Sequence, residues 1–433
     1  MNKVRLGIIG VGNMGSSHIK NSINGKMPEI EITAVADIKP DRLAWAKEQL
    51  PEVKTFNTAS ELMDSGEVDA VLIATPHYDH PPLVKEALEK GLHAMSEKPA
   101  GVYTKQVREM NAAADKSDKI FGIMFNQRTN CLYRKAHELV HSGVYGELRR
   151  VTWIITDWYR TQAYYNSGGW RATWAGEGGG VLLNQCPHQL DLWQWICGMP
   201  EKITAICHEG KWHNIEVEDD VMIYAEYANG ATGTFITTTG DFPGTNRLEI
   251  TLDKAKLICE DGKLTVCEVA ESVSEFTKNA TEGFGSIDSK TFEAELDGNN
   301  IQHPEVMNKF AGAILRGEPL TASGQEGING LMISNAAFLS SWLGKTVTLP
   351  IDEELFYKLL QEKIENLVEE ERILAEEGEK LVSTLSHIKT EDFKIVLEKL
   401  KIDFNPDKLS EDVNELLPRT IDKVKEDIES AKK

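Results

Sequence analysis

The sequence predicts an α/β dinucleotide-binding (Rossmann) domain, then an α+β domain with an open, mainly antiparallel sheet, then a helical C-terminal extension. Three observations carry this expectation. Val4 to Ile9 is apolar apart from Arg5, as a strand buried on both faces should be, and runs straight into Gly10-Val11-Gly12-Asn13-Met14-Gly15. Further short apolar runs, Ile30–Ala36, Ala70–Ala74, Leu92–Met95 and Ile120–Met124, alternate with helical stretches, the pattern of βαβ units. Beyond them come β-type segments at Arg149–Asp157, Val221–Tyr227, Ala231–Thr239 and Arg247–Leu252, with Asn229-Gly230 marking a tight hairpin.

These elements divide the 433 residues into a nucleotide domain over 1–125, a substrate and oligomerisation domain over 126–350, and an extension over 351–433. The extension holds 23 acidic against 14 basic side chains and almost no glycine. Leu359, Leu360, Ile364, Leu367, Val368 and Ile373 recur at helical spacing, and further helices are expected over about 391–400 and 410–431. Such an element packs on its own subunit or a neighbour, or docks a protein partner.

A net charge of -21 argues against nucleic acid, because a phosphate backbone selects excess Lys and Arg. No apolar stretch approaches the roughly 18–20 residues that cross a bilayer. The six cysteines (131, 186, 197, 207, 259 and 267) form no CxxC pair, and the N-terminus enters a strand without an apolar export segment, so a cytoplasmic protein with free thiols is expected.

In the glycine turn, Gly10 permits the sharp bend, Gly12 lets amides approach a pyrophosphate, and Gly15 lets the following helix pack closely with its positive end on the phosphates. Asn13 and Met14 complete that turn. Asp37, at the end of the second strand, accepts from both ribose hydroxyls and repels a 2′-phosphate, which selects NAD; Lys39 partly offsets that charge and leaves NADP open. Thr75, Pro76, His77 and His80 follow the third apolar run, where the nucleotide lies, and Gln127 follows the last. His77 and His80 are spaced as metal ligands beside Asp79, but their place beside the cofactor makes them loop residues, with no metal expected.

Glu97-Lys98-Pro99 falls at the carboxyl edge of the sheet, where a doubly wound fold collects its ligands, so Glu97 and Lys98 are expected beside the cofactor, with Lys98 at its nicotinamide end. In the second domain, Gly178-Gly179-Gly180 leads to Asn184, His188 and Asp191, spaced four and three apart as on one helix face. Together the glycine turn, the Glu-Lys-Pro tripeptide and the GGG…HxxD segment resemble the Gfo/Idh/MocA oxidoreductase family over roughly residues 1–350. The resemblance implies that Lys98 and His188 flank the sugar or cyclitol carbon that exchanges hydride with nicotinamide. Oxidising a secondary alcohol needs a base for the hydroxyl proton, a role suited to His188, while Lys98 stabilises developing alkoxide charge. Many family members carry an Asp that pairs with the His where this chain has Asn184, so Asp191 becomes the candidate orienting carboxylate, with helix packing as its other reading.

Arg160, Tyr164, Trp170 and Arg171 lie in a stretch dense in aromatic and hydrogen-bonding residues, which suits the C–H face and hydroxyls of a pyranose or else a packed sheet edge. Arg128 emerges where the two domains should meet, where members of the family this chain resembles often place a Tyr or Arg near substrate, and is a candidate substrate-binding residue. The run from Thr156 to His188 most closely resembles bacterial enzymes that oxidise the C3 hydroxyl of glucosides, including aryl C-glycosides. Three other activities remain open at this stage: a glycosidase using transient C3 oxidation, a cyclitol dehydrogenase and an NAD-binding regulator without chemistry. A homodimer or homotetramer is expected, because one face of the second sheet would otherwise be open.

Overall fold

The computed structural model describes residues 3–367. The helices expected over 391–400 and 410–431 lie outside the described residues. Contacts divide the chain into two units, 1–357 and 358–433; of the second, residues 358–367 are helical. Among the described residues no helix is long and apolar enough to cross a membrane.

The first unit begins with a doubly wound layer. Its elements are β1 (Val4–Ile9), α1 (Asn13–Ile23), β2 (Ile30–Ala36), α2 (Pro40–Gln49), β3 (Lys54–Phe56), α3 (Ala59–Asp64), β4 (Ala70–Ile73), α4 (His80–Glu89), β5 (His93–Ser96), α5 (Thr104–Ala114) and β6 (Phe121–Ile123). All strand pairs are parallel, in the order β3-β2-β1-β4-β5-β6, so the chain reverses direction beside β1 and opens a crevice at the carboxyl ends of β1 and β4. β3 escapes the sequence reading because Lys54-Thr55-Phe56 is short, lies at the sheet edge and has no buried residue.

The second layer follows α6 (Cys131–His141) and comprises β7 (Leu148–Ile155), α7 (Gln162–Tyr165), α8 (Pro187–Cys197), β8 (Lys202–Glu209), β9 (Glu218–Glu226), β10 (Thr232–Thr238), β11 (Asn246–Leu252), β12 (Ala255–Glu260), β13 (Lys263–Val269), α9 (Val273–Asn279), β14 (Ser289–Glu293), α10 (His303–Arg316), α11 (Gly327–Leu343) and β15 (Val347–Thr348). Nine strands form one sheet, antiparallel except where β10 runs parallel to β7. Strand residues alternate between a buried and a solvent face. On the inner face Trp193 of α8 stacks on Phe235 with ring centroids 5.4 Å apart, and Trp153 meets the same ring edge-on.

α10 departs from the expectation of a contiguous second domain. Its Val306, Met307, Phe310 and Ala311 are buried in one cluster with Val4, Leu6, Ile8 and Ile30 of the parallel sheet. The chain therefore returns to the nucleotide layer late in the sequence, because an apolar helix face buries most surface against the largest apolar sheet face near it.

A second tie lies between β6 and α8. Arg128 donates Nε and Nη2 to the two carboxylate oxygens of Asp191 at 2.8 and 2.7 Å, and Nη1 to Glu326 at 2.6 Å. The Arg128 and Asp191 side chains are 2% and 1% exposed. The guanidinium also lies over the rings of Phe125 and Trp195. This corrects both sequence assignments: Arg128 does not line a substrate pocket, and Asp191 does not orient His188, since Arg128 and Gln194 occupy its oxygens.

Removing one partner strands a buried charge. Asp191→Ala should lower the unfolding free energy by about 3–5 kcal/mol in urea titration, and pairing it with Arg128→Met should recover most of that loss.

Candidate active site

At the nucleotide end, Gly10 has φ +89°, and a side chain at Gly15 would place its Cβ 2.0 Å from the Gly10 carbonyl oxygen. Only glycine allows this turn. At Gly12 a Cβ would meet nothing within 4 Å, α1 has no side-chain cap, and its first turn holds no acidic residue. The helix end is thus open and unsatisfied, which fits a pyrophosphate. Asp37 takes hydrogen bonds from the Val11 and Lys39 amides at 2.7 and 2.8 Å, which fix its carboxylate beside the turn. Arg42, not singled out from the sequence, donates to the Val11 carbonyl at 2.8 Å and braces the same loop.

After β4, Thr75 and Pro76 lead into His77, which is buried, with Nδ1 3.0 Å from the Glu177 carbonyl and its ring edge-on to Trp170. Burial, with the charges of His80, Lys98 and Arg171, pulls the His77 pKa down to about 3. His80 is buried with Nδ1 at the Pro99 carbonyl and Nε2 at the Thr75 carbonyl, 2.7 and 2.8 Å away. Its ring is therefore a clasp between two loops with no nitrogen left for a cofactor, a correction to the sequence assignment. Gln127 donates to Gln302 at 3.2 Å, beside α10.

Glu97 and Lys98 leave the end of β5 in opposite directions. Glu97 is buried and accepts from His18 Nε2 at 2.8 Å; His18 meets His303 ring to ring at 5.7 Å. Burial works to raise the Glu97 pKa, but the His18 hydrogen bond and the charges of His18, His303 and Lys98 outweigh it and bring it to about 2. Sequence reasoning missed His18, although its position three residues after Gly15 puts it on the inward face of α1. Lys98 turns the other way and donates to the Asn184 carbonyl oxygen at 2.9 Å. Burial lowers its pKa, against the pull of Glu97, Glu177 and Cys186.

The glycine-rich segment is a chain of turns rather than a helix start. α8 begins only at Pro187, whose ring suits a first helical position, so Asn184 lies before the helix and shares no face with His188. Glu218 accepts from the Gly180 and Leu182 amides at 2.7 and 2.9 Å and pins these turns to β9. His188 is the second residue of α8, with its Nδ1 buried and unpartnered and its ring edge-on to Phe125. Burial first, then the charge of Lys98, drives its pKa well below 6.5, so the ring is a neutral acceptor at neutral pH.

The wall opposite is built on Tyr164. Arg160 and Arg171 both lie over its ring, 5.1 and 4.8 Å from the centroid, and Arg171 also covers Trp170. The Tyr164 hydroxyl accepts from Arg171 at 2.9 Å and from Asn184 at 3.4 Å. Its own proton is thereby left to point elsewhere. The site brings together Lys98, Asn184, Tyr164, Trp170, Arg171 and His77; Arg128 and Asp191 stand apart in their mutual pair. Glu177, absent from the sequence reading, sits among them as a buried carboxylate.

Residues 4–125 match the oxidoreductase family with NAD-binding Rossmann fold, and residues 133–258 match the Gfo/Idh/MocA C-terminal domain. The rhizopine catabolism protein MocA of Rhizobium meliloti is 31% identical over 199 residues, 46% of this chain and 58% of that protein. Myo-inositol 2-dehydrogenase of Thermotoga maritima is 25% identical over 345 residues, 77% of this chain and 95% of that protein. Among solved structures, the WlbA dehydrogenase from Chromobacterium violaceum, in complex with NADH and UDP-GlcNAcA, is 26% identical with a TM-score of 0.69, covering 81% of this chain and 97% of that one. Levoglucosan dehydrogenase, in complex with NADH and L-sorbose, shares the fold at 19% identity and a TM-score of 0.69, covering 81% and 100%. The chain therefore belongs to the Gfo/Idh/MocA oxidoreductase family. Within it, the chain carries the NAD-binding Rossmann fold of an oxidoreductase.

Two outcomes follow from the geometry. Asp37→Ser removes the charge that repels a 2′-phosphate, so NADPH affinity relative to NADH should rise about tenfold in fluorescence titration. His77 is held unprotonated in the folded chain to about pH 3 against 6.5 for a free imidazole, so its contribution is complete above pH 6.5 and fades as pH falls. Between pH 6.5 and 4, His77→Gln should lose stability less steeply than the parent, by about 1 kcal/mol per pH unit in urea melts.

Proposed function

We propose that the protein oxidises a secondary ring hydroxyl of a carbohydrate, in particular the C3 hydroxyl of a glycoside. The observation that carries this reading is the chain of contacts from Lys98, at the end of β5, through Asn184 to Tyr164, Arg171 and Trp170, with His188 of α8 close enough to feel the Lys98 charge. NAD, held at the glycine turn and Asp37, supplies the hydride acceptor. His188, unprotonated at neutral pH, takes the hydroxyl proton. The Lys98 ammonium donates to the same oxygen and stabilises the charge that grows on it as the proton leaves. Trp170, 38% exposed, offers an aromatic face to the C–H side of a pyranose, and Arg160 and Arg171 are the candidate partners of its hydroxyls. The inositol dehydrogenase among the relatives and the sugar ligands of the solved neighbours support a polyhydroxylated ring.

Exposed Ile206, Met222 and Tyr224 on the outer face of β8 and β9 support pairing of two copies through that sheet.

Purified protein incubated with NAD and a panel of glucosides, free hexoses and inositols should form NADH with the glucosides, and the product should carry its carbonyl at C3 by NMR. NADH formation with inositols alone would replace the glycoside by a cyclitol. Aglycone release without net NADH would assign a transient-oxidation glycosidase. His188→Ala and Lys98→Met should each lower kcat by about 10²–10⁴-fold while leaving NADH affinity unchanged in fluorescence titration.

A further inference from the structure

The substrate half of the site contains one carboxylate that the reaction described above does not use. Glu177 is 1% exposed and closes the turn after Trp174. Its Oε2 accepts from the Ala172 amide at 2.7 Å, its Oε1 accepts from the Asn184 side-chain amide, and Arg171 lies 3.8 Å from Oε1. Both oxygens therefore face N–H donors. A proton on either would point at another hydrogen, so the donors favour the carboxylate, as do the charges of Arg171 and Lys98, against a burial that raises its pKa.

Ala172 has φ +54°, a left-handed conformation that costs a non-glycine residue about 1–2 kcal/mol. The strain is sustained where it aims an amide at Glu177. Asn184 then serves two masters: its side chain binds Glu177, and its backbone carbonyl receives Lys98 Nζ at 2.9 Å. Fixing the side chain fixes the carbonyl, and with it the direction in which Lys98 extends.

We propose that Glu177 is a positioning residue of the dehydrogenation, holding the Asn184 side chain and so the carbonyl that orients Lys98, with its buried charge close to the Lys98 side chain. The assignment rests on the reading that Lys98 acts on the substrate oxygen. The groups facing Lys98 are Glu97, Glu177, Cys186, Arg160, His77, His188 and His303. Of its two carboxylates, Glu97 is already bound to His18. Burial favours the neutral amine, and Glu177 is the negative charge on the substrate side that opposes it. Asn at 184 is the matching choice: an Asp there would set a second carboxylate against Glu177, whereas the amide donates to it.

The test compares the parent, Glu177→Gln and the double variant Glu177→Gln/Asn184→Asp, which moves the carboxylate to the neighbouring position. Two quantities are read: the pH dependence of Lys98 acetylation by trace acetic anhydride, followed by mass spectrometry without substrate, and the alkaline limb of kcat/KM. Because a neighbouring carboxylate favours the ammonium, its loss should move both midpoints to lower pH by about one unit, and the double variant should bring both back most of the way. An unmoved Lys98 titration in Glu177→Gln overturns the proposal, as does a double variant that folds but does not restore it. Loss of the fold in both variants makes Glu177 a structural post and overturns it equally. If the parent oxidises no polyol, the dehydrogenase reading of the site fails, while the acetylation profile still decides the role of Glu177.

Discussion

The arrangement of the site depends on a charge that cannot leave water alone. Arg128, at the exit of β6, is buried only because Asp191 of α8 meets it with two parallel hydrogen bonds. That pairing sets where α8 begins relative to the parallel sheet. His188 lies three residues before Asp191, close to one helical turn, so the imidazole is set by a contact it does not make. Lys98 is placed independently, by β5 on one side and the Asn184 carbonyl on the other. Glu218 holds the turns that lie between Lys98's partner Asn184 and the start of α8.

Within that frame the chain separates charges by burial. Glu97 is kept ionised against His18 on the nucleotide side, Glu177 takes two N–H donors on the substrate side, and the imidazoles of His77 and His188 are held neutral between them. The proposed transfer of one proton and one hydride would gain from fixed charges around neutral acceptors. Preorganised groups need not reorient as charge develops on the substrate oxygen.

Much of this was legible in the sequence, and the boundary is physical. The glycine turn, Asp37 and Glu-Lys-Pro are local: each is read from neighbours a few residues away and from the strand before it. The strands over 149–157, 221–227, 231–239 and 247–252 show themselves by alternation. The hairpin joining β12 and β13 also has a local signal, the Asp261-Gly262 dipeptide, and both residues take the positive φ of a tight turn. What was not legible is long-range. Nothing near Arg128 says that its partner lies 63 residues on, so a cation beside a domain seam read as a ligand for substrate. The same holds for Glu177, which meets the Asn184 side chain only once the turn folds back on it. The helix expected to carry Asn184 was delayed by Pro187, a local signal outweighed by an attractive spacing.

The return of α10 to the nucleotide layer also bears on how this fold is cut or recombined. Val306, Met307, Phe310 and Ala311 cover part of the parallel sheet, so the nucleotide-binding half is discontinuous in sequence though continuous in space. A fragment ending near residue 125 would present that footprint bare to solvent. Exchange of substrate domains between relatives has to carry the 303–316 helix with the half it covers, which makes the module of inheritance the pair of layers rather than either one.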